Sequence, residues 1–228
     1  MRDYLPLEKK IGIKFENVTL LDTAFVHKSA INEKRLKKEH NERLEFLGDA
    51  VLELVVTEYL YLNFPNPEGD LTNWRSALVK GKNLAHIAKR LELGQYLYLS
   101  KGEEKSGGRD KDYLMANTLE ALIGAIFLDK DYEIARQFIL KNIMTDLQQI
   151  IEEELHIDPK SKLQELIQER FTVTPEYKLV KADGPDHNRL FTMGAYLKGQ
   201  QIGQGSGKSK QEAERQAAVD ALKQLAQE

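Results

Sequence analysis

The spacing of hydrophobic residues changes at about residue 151, and this change favours two domains of different class. Before residue 151, apolar side chains recur every three or four positions, which is typical of helices packed on a core. No stretch in this half alternates as a strand would, and the polar, glycine-containing stretch 101–112 is predicted to be an exposed, mobile loop. The spacing predicts helices over residues 41–62, 71–91, 112–129 and 131–151.

After residue 151, an acidic segment that leads to Pro159 predicts a linker over 152–158. The rest of the chain reads as a helix, three strand-like runs separated by turn residues, and a final helix. We therefore predict an all-α domain over 1–151 and a small α+β domain, of order α-β-β-β-α, over 159–228. The elements predicted for the second domain are a helix at 159–170, strands at 176–182, 189–197 and around 201–203, and a helix from about 208 to 227.

Composition narrows the class of protein further. The 228 residues are 41% hydrophobic and 30% charged, which suits one large or two modest folded domains rather than a disordered chain. There is no cysteine, so disulfides, thiolate metal ligands and cysteine nucleophiles are excluded. The longest apolar stretch, 121–128, is too short to cross a membrane, and the first residues lack the apolar region of a secretion signal. We expect a cytoplasmic protein without a membrane partner.

Three acidic residues share one stripe of the predicted helix 41–62. A helix turns about 100° per residue, so Glu42, Glu45 and Asp49 fall within one narrow sector. The rest of this helix is apolar nearly all round, which indicates a buried helix rather than a solvated one. The acids are therefore predicted to lie at the end of a core helix.

A second helix repeats the pattern. Residues 115–128 are apolar around the whole circumference but include Glu120, with Asn117 one turn earlier on the same side. Clustered buried carboxylates repel each other and need a counter-charge, which Mg²⁺ or Mn²⁺ supplies through oxygen ligands. Glu45, Asp49, Asn117 and Glu120 are thus candidate metal ligands for phosphoryl transfer. The alternative is a solvated acidic face paired with lysine and arginine, and spacing alone leaves both interpretations open.

The segment NERLEFLGDAVL, residues 41–52, resembles the signature of the ribonuclease III family. Further segments agree in order: AFVHKSA at 24–30, EGDLT at 68–72, RSALV at 75–79, and ANTLEALIGAIFLD at 116–129. The resemblance implies an all-helical endonuclease domain that forms a homodimer and cleaves double-stranded RNA with Mg²⁺, with Mn²⁺ as a substitute. It also implies products with 5′-phosphate and 3′-hydroxyl ends, and a role in the processing of ribosomal and messenger RNA.

The resemblance also assigns roles position by position. Glu45, Asp49 and Glu120 match the family's metal ligands, and Asp49 and Glu120 are its catalytic pair. Glu42 matches the first acid of the signature, and Glu68 matches an acid near the dimer interface and the active-site valley. Phe46 matches an aromatic residue that inserts into the partner subunit, although an ordinary core phenylalanine is a competing interpretation.

One position departs from the family pattern. Asn117 stands where the family commonly has aspartate, so one negative charge is missing from the predicted site. This departure keeps a second hypothesis open: a double-stranded RNA-binding protein with an impaired nuclease site.

The C-terminal α-β-β-β-α order resembles a double-stranded RNA-binding domain, which reads the shape of RNA rather than its sequence. The net charge of −3 means that any RNA-binding surface depends on local placement of charge. By resemblance, Gln164 and Glu165 meet one minor groove and His187 meets the next. The glycines at 203, 205 and 207 are expected to let the backbone approach the RNA. A nucleotide-binding P-loop is excluded, because only three residues separate Gly203 from Gly207. The residues expected to bind phosphate near the start of the last helix are Lys208, Lys210 and Arg215.

Overall fold

The computed structural model describes residues 2–34, 39–152, 158–185 and 189–225. The chain forms two compact units, Met1–His156 and Ile157–Glu228. The first unit is helical and the second combines a three-stranded sheet with two helices, so the predicted fold class is confirmed. Most of the predicted linker, residues 153–157, lies outside the described residues. No helix in the described ranges is long and apolar enough to span a membrane.

The first unit is built around two long helices, α4 and α8, which pack against each other along much of their length. Helix α8 is buried around its circumference from Leu114 to Ile126, as its apolar sequence predicted. Helices α2, α6 and α9 pack around it. The helices of this unit are α1 (Leu5–Ile11), α2 (Val18–Ala24), α3 (Lys28–Lys34), α4 (Glu42–Asn63), α5 (Glu68–Leu78), α6 (Gly81–Arg90), α7 (Lys101–Lys105), α8 (Asp112–Asp129), α9 (Tyr132–Asn142) and α10 (Leu147–Glu152).

Two of the predicted helices are each broken in the structure. The predicted helix 71–91 is two helices, α5 and α6, because the backbone is extended at Lys80 and the Asn83 amide bonds to the Leu78 carbonyl. The predicted helix 131–151 ends at Asn142 and resumes after a 3-10 turn at Met144–Asp146. Hydrophobic spacing continues across both breaks, so periodicity could not locate them.

The polar stretch 101–112 is ordered by local contacts and is not a free loop. Ser100 caps the short helix α7 by accepting the Glu103 N–H at 3.1 Å. The Arg109 guanidinium donates to the Gly94 carbonyl at 2.7 Å, and the Lys111 ammonium bonds to the Glu103 carboxylate at 2.7 Å. The stretch is mostly exposed, as predicted, but the prediction of a loop is wrong because it forms α7 and a 3-10 turn at Gly108–Asp110. Arg109 and Lys111, whose charges suggested a solvated loop, instead form hydrogen bonds to the neighbouring backbone and to an acidic side chain of the same stretch.

Helix α4 is buried on one side and exposed on the other. Val51 and Val55 lie in the core, whereas Phe46, Leu54 and Tyr61 are exposed, Phe46 by 81%. The prediction of a helix buried all round is wrong here, and so is the interpretation of Phe46 as an ordinary core residue. Leu54 and Tyr61 are 57% and 76% exposed, so the described part of the chain covers only a small fraction of these outward side chains. An apolar face of this size is typical of a surface that another molecule covers.

The second unit is a three-stranded antiparallel sheet in the order β1-β2-β3, with helices α11 and α12 packed on one face. Its small core joins Leu163 and Ile167 of α11 to Ala195 of the sheet and to the alanines of α12. Strand β3 is longer than the predicted run around 201–203 and includes the glycines. The elements are α11 (Pro159–Phe171), β1 (Glu176–Asp183), β2 (Leu190–Leu197), β3 (Gln200–Gly207) and α12 (Lys210–Leu225).

Candidate active site

The two central helices touch backbone to backbone at a pair of glycines. A Cβ added at Gly48 of α4 would lie 1.8 Å from the Glu120 carbonyl oxygen of α8. A Cβ added at Gly124 of α8 would lie 2.2 Å from the Leu44 carbonyl oxygen of α4. Only glycine leaves room for this crossing, because distances below 3 Å would require backbone atoms to move. The hydrophobic pattern gives no sign of this use of the two glycines, although each lies within about a turn of a predicted metal ligand.

This crossing brings the predicted ligands of the two helices together. Glu45 and Asp49 lie on either side of Gly48, and Asn117 and Glu120 lie on the facing turn of α8. The Asn117 side-chain amide donates a hydrogen bond to the Glu45 carboxylate. The charges of Asp49 and Glu45 both act on Glu120. We call these four residues the α4–α8 polar cluster.

The acids of this cluster repel each other. Burial, followed by the charges of Asp49 and Glu45, raises the pKa of Glu120 to about 7. Burial also raises the pKa of Glu45, with further contributions from Glu42 and Asp49, while the hydrogen bond from Asn117 opposes the rise. Burial is the main cause of both shifts, and repulsion between the acids adds to it, so the negative charge of these carboxylates is not fully compensated.

No lysine or arginine in the described ranges forms an ion pair with Glu45, Asp49 or Glu120. The cation-paired part of the alternative that spacing left open therefore does not describe these three acids. Their burial is less than predicted, however, because Glu45 and Glu120 are half-buried and Asp49 is exposed. No group of three or more His, Asp or Glu side chains among the described residues is tight enough to hold an ion as it stands. The charges of the acids thus act on each other, but their oxygen atoms are not close enough together to coordinate one ion. The oxygen-only donors of the cluster nevertheless suit a hard divalent cation, which would supply the missing positive charge.

Glu42 forms an ion pair with a lysine beside the cluster. Its carboxylate lies 2.9 Å from the Lys28 ammonium and 3.6 Å from the His40 ring. The Lys28 contact lowers the pKa of Glu42. Their shared position on one side of the helix predicted that Glu42, Glu45 and Asp49 lie at one site. Long side chains on the same side of a helix can nevertheless contact different partners. Lys28 is a residue that the sequence analysis did not place at the site, although it lies within the AFVHKSA segment.

Glu68 is not part of the α4–α8 polar cluster as the structure describes it. It begins α5, and its carboxylate accepts a hydrogen bond from the Thr72 hydroxyl at 2.8 Å. It borders a cavity of about 640 Å³ between the second half of α4 and α5, which Tyr61 and Phe64 also line. The exposed Phe46 borders a different cavity.

The predicted RNA-binding residues of the second unit are exposed wherever the structure describes them. Gln164 and Glu165 lie on the outer face of α11, and Lys208, Lys210 and Arg215 lie at or near the start of α12. His187 lies outside the described residues.

The start of α12 differs from the prediction. The helix begins at Lys210, not at Lys208, and Ser209 caps it by accepting the Glu212 N–H at 3.1 Å. The Glu212 carboxylate in turn accepts the Lys208 N–H at 2.7 Å. The pair resembles a capping box, except that the carboxylate binds the N–H of the residue before the cap. It occupies two amide groups, of Lys208 and Glu212, in the segment that was expected to offer free N–H groups to phosphate. The side chains of Lys208 and Lys210 are exposed and remain available to an anion.

The glycines of β3 serve packing inside the domain. A Cβ at Gly205 would lie 2.2 Å from the Ala217 nitrogen, and one at Gly203 would lie 2.5 Å from the Ala217 carbonyl oxygen. The strand therefore rests directly on the backbone of α12. The expectation that these glycines let RNA approach the backbone is wrong for Gly203 and Gly205, because helix α12 occupies that space.

Comparison with known proteins identifies both units. Residues 17–147 match the family model described as Ribonuclease-III-like, and residues 159–225 match the model described as Double-stranded RNA binding motif. The chain belongs to the ribonuclease III family. Members of this family are endoribonucleases of double-stranded RNA, so the nuclease assignment and the double-stranded RNA partner are confirmed at the family level.

Relatives of known name agree over nearly the whole chain. The chain is 45% identical over 224 residues to Ribonuclease 3 of Clostridium tetani, covering 98% of this chain and 95% of the relative. It is 48% identical over 220 residues to Ribonuclease 3 of Chloroflexus aurantiacus, covering 95% and 89%. The solved nuclease domain of Ribonuclease III from Campylobacter jejuni is 43% identical, with a TM-score of 0.59, covering 63% of this chain and 97% of that domain. The description of that structure names a region involved in dimer formation.

Proposed function

We propose that this ribonuclease III family member hydrolyses double-stranded RNA with Mg²⁺ held by the α4–α8 polar cluster, Mn²⁺ being a substitute. The observation that carries the proposal is the meeting of three acids and one amide from two helices, with no lysine or arginine paired to the acids in the described part of the chain. A cytoplasmic location and a role in processing ribosomal and messenger RNA belong to the same proposal.

Each residue of the cluster has a distinct task in this mechanism. Glu45 and Asp49 of α4 and Asn117 and Glu120 of α8 would hold the ion, and Asp49 and Glu120 are the catalytic pair. A bound divalent ion supplies a water of lowered pKa and positive charge at the scissile phosphate. The amide of Asn117 favours the ionised form of Glu45, which is the form that binds cations. Attack by water at phosphorus, with departure of the 3′-oxygen, leaves a 5′-phosphate and a 3′-hydroxyl.

The exposed face of α4 supports a homodimer. Phe46, Leu54, Tyr61 and Leu62 are all exposed on one helix, and a second copy of this chain would cover them. Phe46 is the proposed central contact. Glu68, at the start of the neighbouring helix α5, would then lie close to this interface as an accessory acid, with Glu42 accessory to the metal cluster itself.

Incubating a labelled RNA duplex with the full chain, with and without Mg²⁺, tests the proposal. Cleavage that requires Mg²⁺ and leaves 5′-phosphate ends is the expected result. A shift of the duplex without any cleavage in Mg²⁺ or Mn²⁺ would contradict the nuclease proposal and favour a protein that only binds RNA.

Asn117→Asp is expected to lower the Mg²⁺ concentration needed for half-maximal cleavage. The substitution adds a fourth carboxylate to the cluster and so strengthens the attraction for a divalent cation. A roughly tenfold decrease corresponds to about 1.4 kcal/mol of added ion binding. Metal titrations of cleavage for the two proteins measure the effect, and coincident curves would show that position 117 does not contact the ion.

Lys208→Ala combined with Lys210→Ala is expected to weaken duplex binding and to reduce its salt dependence. Each lost phosphate contact removes about 0.7–0.9 from the slope of log affinity against log salt, so the slope should fall by about one to two. Binding measured over a range of KCl concentrations without divalent ions gives the slope. Lys223→Ala, an exposed lysine in the last turn of the same helix, is the matched control. An unchanged slope in the double variant would mean that these lysines do not touch RNA.

A further inference from the structure

A lysine stands at the edge of the α4–α8 polar cluster. The Lys28 ammonium lies 2.9 Å from a Glu42 oxygen, and the two side chains are 65% and 46% exposed. The positive charge of Lys28 also acts on Glu45, and it is the one cation shown to do so among the described residues. Lys28 therefore lies beside the metal-binding acids without forming an ion pair with any of them.

The backbone just before Lys28 is fixed by hydrogen bonds to two other segments. The Asn41 N–H at the start of α4 donates to the Val26 carbonyl at 2.9 Å, and the His27 N–H donates to the Tyr98 carbonyl at 3.2 Å. Val26 and Tyr98 also form an isolated parallel bridge. These bonds hold the beginning of α3 against the first turn of α4.

Side-chain bonds add to this anchoring. The Ser29 hydroxyl lies 2.8 Å from the His27 Nδ1 and accepts the Ser100 N–H at 3.1 Å. The residues on both sides of Lys28 are thus held in place, whereas its own ammonium projects into solvent. The Lys28 ammonium has a defined position relative to Glu42 and Glu45, yet it can change its partner.

The contact between Lys28 and Glu42 is easily exchanged. Ion pairs between exposed side chains contribute about 0–1 kcal/mol, because water solvates both charges well when they separate. An RNA duplex that reaches the cluster brings several phosphates, and the acids of the cluster repel each of them. A cation at the edge of the cluster would attract a phosphate that the acids alone would drive away.

We propose that Lys28 binds the RNA backbone in the catalytic unit, exchanging Glu42 for a non-bridging oxygen of a phosphate near the scissile one. Glu42 holds the ammonium in place when RNA is absent. The inference rests on the proposed nuclease function and adds to it a substrate contact that lies outside the C-terminal domain.

Lys28→Gln, Lys28→Arg and Glu42→Gln in the full chain separate this role from a structural one. For Lys28→Gln we expect kcat/KM for duplex cleavage to fall about tenfold or more, mainly through KM, as for a lost hydrogen bond to a charged group. The slope of log kcat/KM against log KCl concentration should also become shallower by about 0.7–0.9, as for one lost phosphate contact. Lys28→Arg should keep most of the wild-type kcat/KM and most of the wild-type salt dependence, since arginine keeps the positive charge. Glu42→Gln should leave the salt dependence unchanged, whatever its effect on kcat.

Lys10→Gln is the matched control, because Lys10 forms a comparable exposed ion pair with Glu92, 2.6 Å long. Thermal unfolding of every variant checks that the fold is intact. If the wild-type chain cleaves and Lys28→Gln keeps its KM and its salt dependence, the Lys28 inference is overturned while the nuclease proposal stands. Identical defects in Lys28→Gln and Glu42→Gln would also overturn it, since Lys28 would then act only through Glu42. If the wild-type chain does not cleave, the nuclease proposal fails, and the salt dependence of duplex binding by the same variants decides the role of Lys28.

Discussion

Glu120→Gln is expected to abolish cleavage of double-stranded RNA while leaving duplex binding nearly unchanged. The substitution keeps the size of the side chain but removes one of the three charges that would hold the metal ion. Metal ions supply several kcal/mol of charge stabilisation in phosphoryl transfer, so we expect a loss of about a thousandfold or more. Single-turnover cleavage measures the loss, and a gel shift measures binding. Retained cleavage would remove Glu120 from the site.

The same variant has a predicted effect on stability that does not depend on activity. The folded protein raises the pKa of Glu120 to about 7, from an ordinary value of 4.5. Between these values the folded state binds more protons than the unfolded state, so the free energy of unfolding of the wild type falls as pH rises. Glutamine does not ionise, so the variant lacks this fall in the free energy of unfolding. In metal-free buffer, Glu120→Gln should be more stable than the wild type at pH 8, by up to about 3 kcal/mol.

The difference between the two proteins should disappear below pH 4.5, where the wild-type carboxyl group is protonated in both states. Urea unfolding of both proteins at pH 4 and pH 8, with a chelator present, measures this difference in the free energy of unfolding. A variant that is less stable than the wild type at pH 8 would show that Glu120 is not repelled by Asp49 and Glu45. The repulsion on which the proposed metal site depends would then be absent.

Gly48→Ala is expected to destabilise the protein and to inactivate it. The new methyl group would meet the Glu120 carbonyl oxygen at 1.8 Å and the Gly124 nitrogen at 2.8 Å, and both are backbone atoms. The helices must separate to admit it, which also moves Glu45 and Asp49 away from α8. We expect a loss of about 3 kcal/mol in unfolding free energy, at the upper end of the cost of overpacking. Urea unfolding and the cleavage assay measure the two effects.

Gly69→Ala is the matched control for this substitution. Gly69 also lies in a helix, but a Cβ there would meet nothing within 4 Å. Alanine should therefore stabilise α5 slightly, by up to about 1 kcal/mol, through helix propensity alone. Equal stability of Gly48→Ala and the wild type would mean that α4 and α8 do not cross at this glycine pair.

The fold class could be predicted because it depends mainly on local pattern. The spacing of hydrophobic residues along the sequence distinguished the helical unit from the unit that contains the sheet. The apolar sequence of α8 correctly indicated a buried helix. The breaks at Lys80 and Asn142 could not be read in the same way, since the period continues across them. Strand β3 was predicted too short because glycines contribute no hydrophobic signal, although they pack tightly on α12.

Burial was the least predictable property. An apolar residue is consistent with the core and with an exposed surface that awaits a partner, so the sequence of α4 could not show that Phe46, Leu54 and Tyr61 are exposed. The charged stretch 101–112 is mostly exposed, as predicted, but it is not the loop that its polar sequence suggested. Its arginine and lysine looked solvated but bond to nearby carbonyl and carboxylate groups.

The sequence by itself determined which residues carry oxygen ligands and which of them share a face of one helix, because the helical repeat fixes directions within a single element. It also determined the family. Only the tertiary structure decided that the Glu45–Asp49 turn faces the Asn117–Glu120 turn, and that Glu42 turns to Lys28 instead. These contacts join residues far apart in the chain. They depend on how closely two backbones approach at Gly48 and Gly124, which no local pattern specifies.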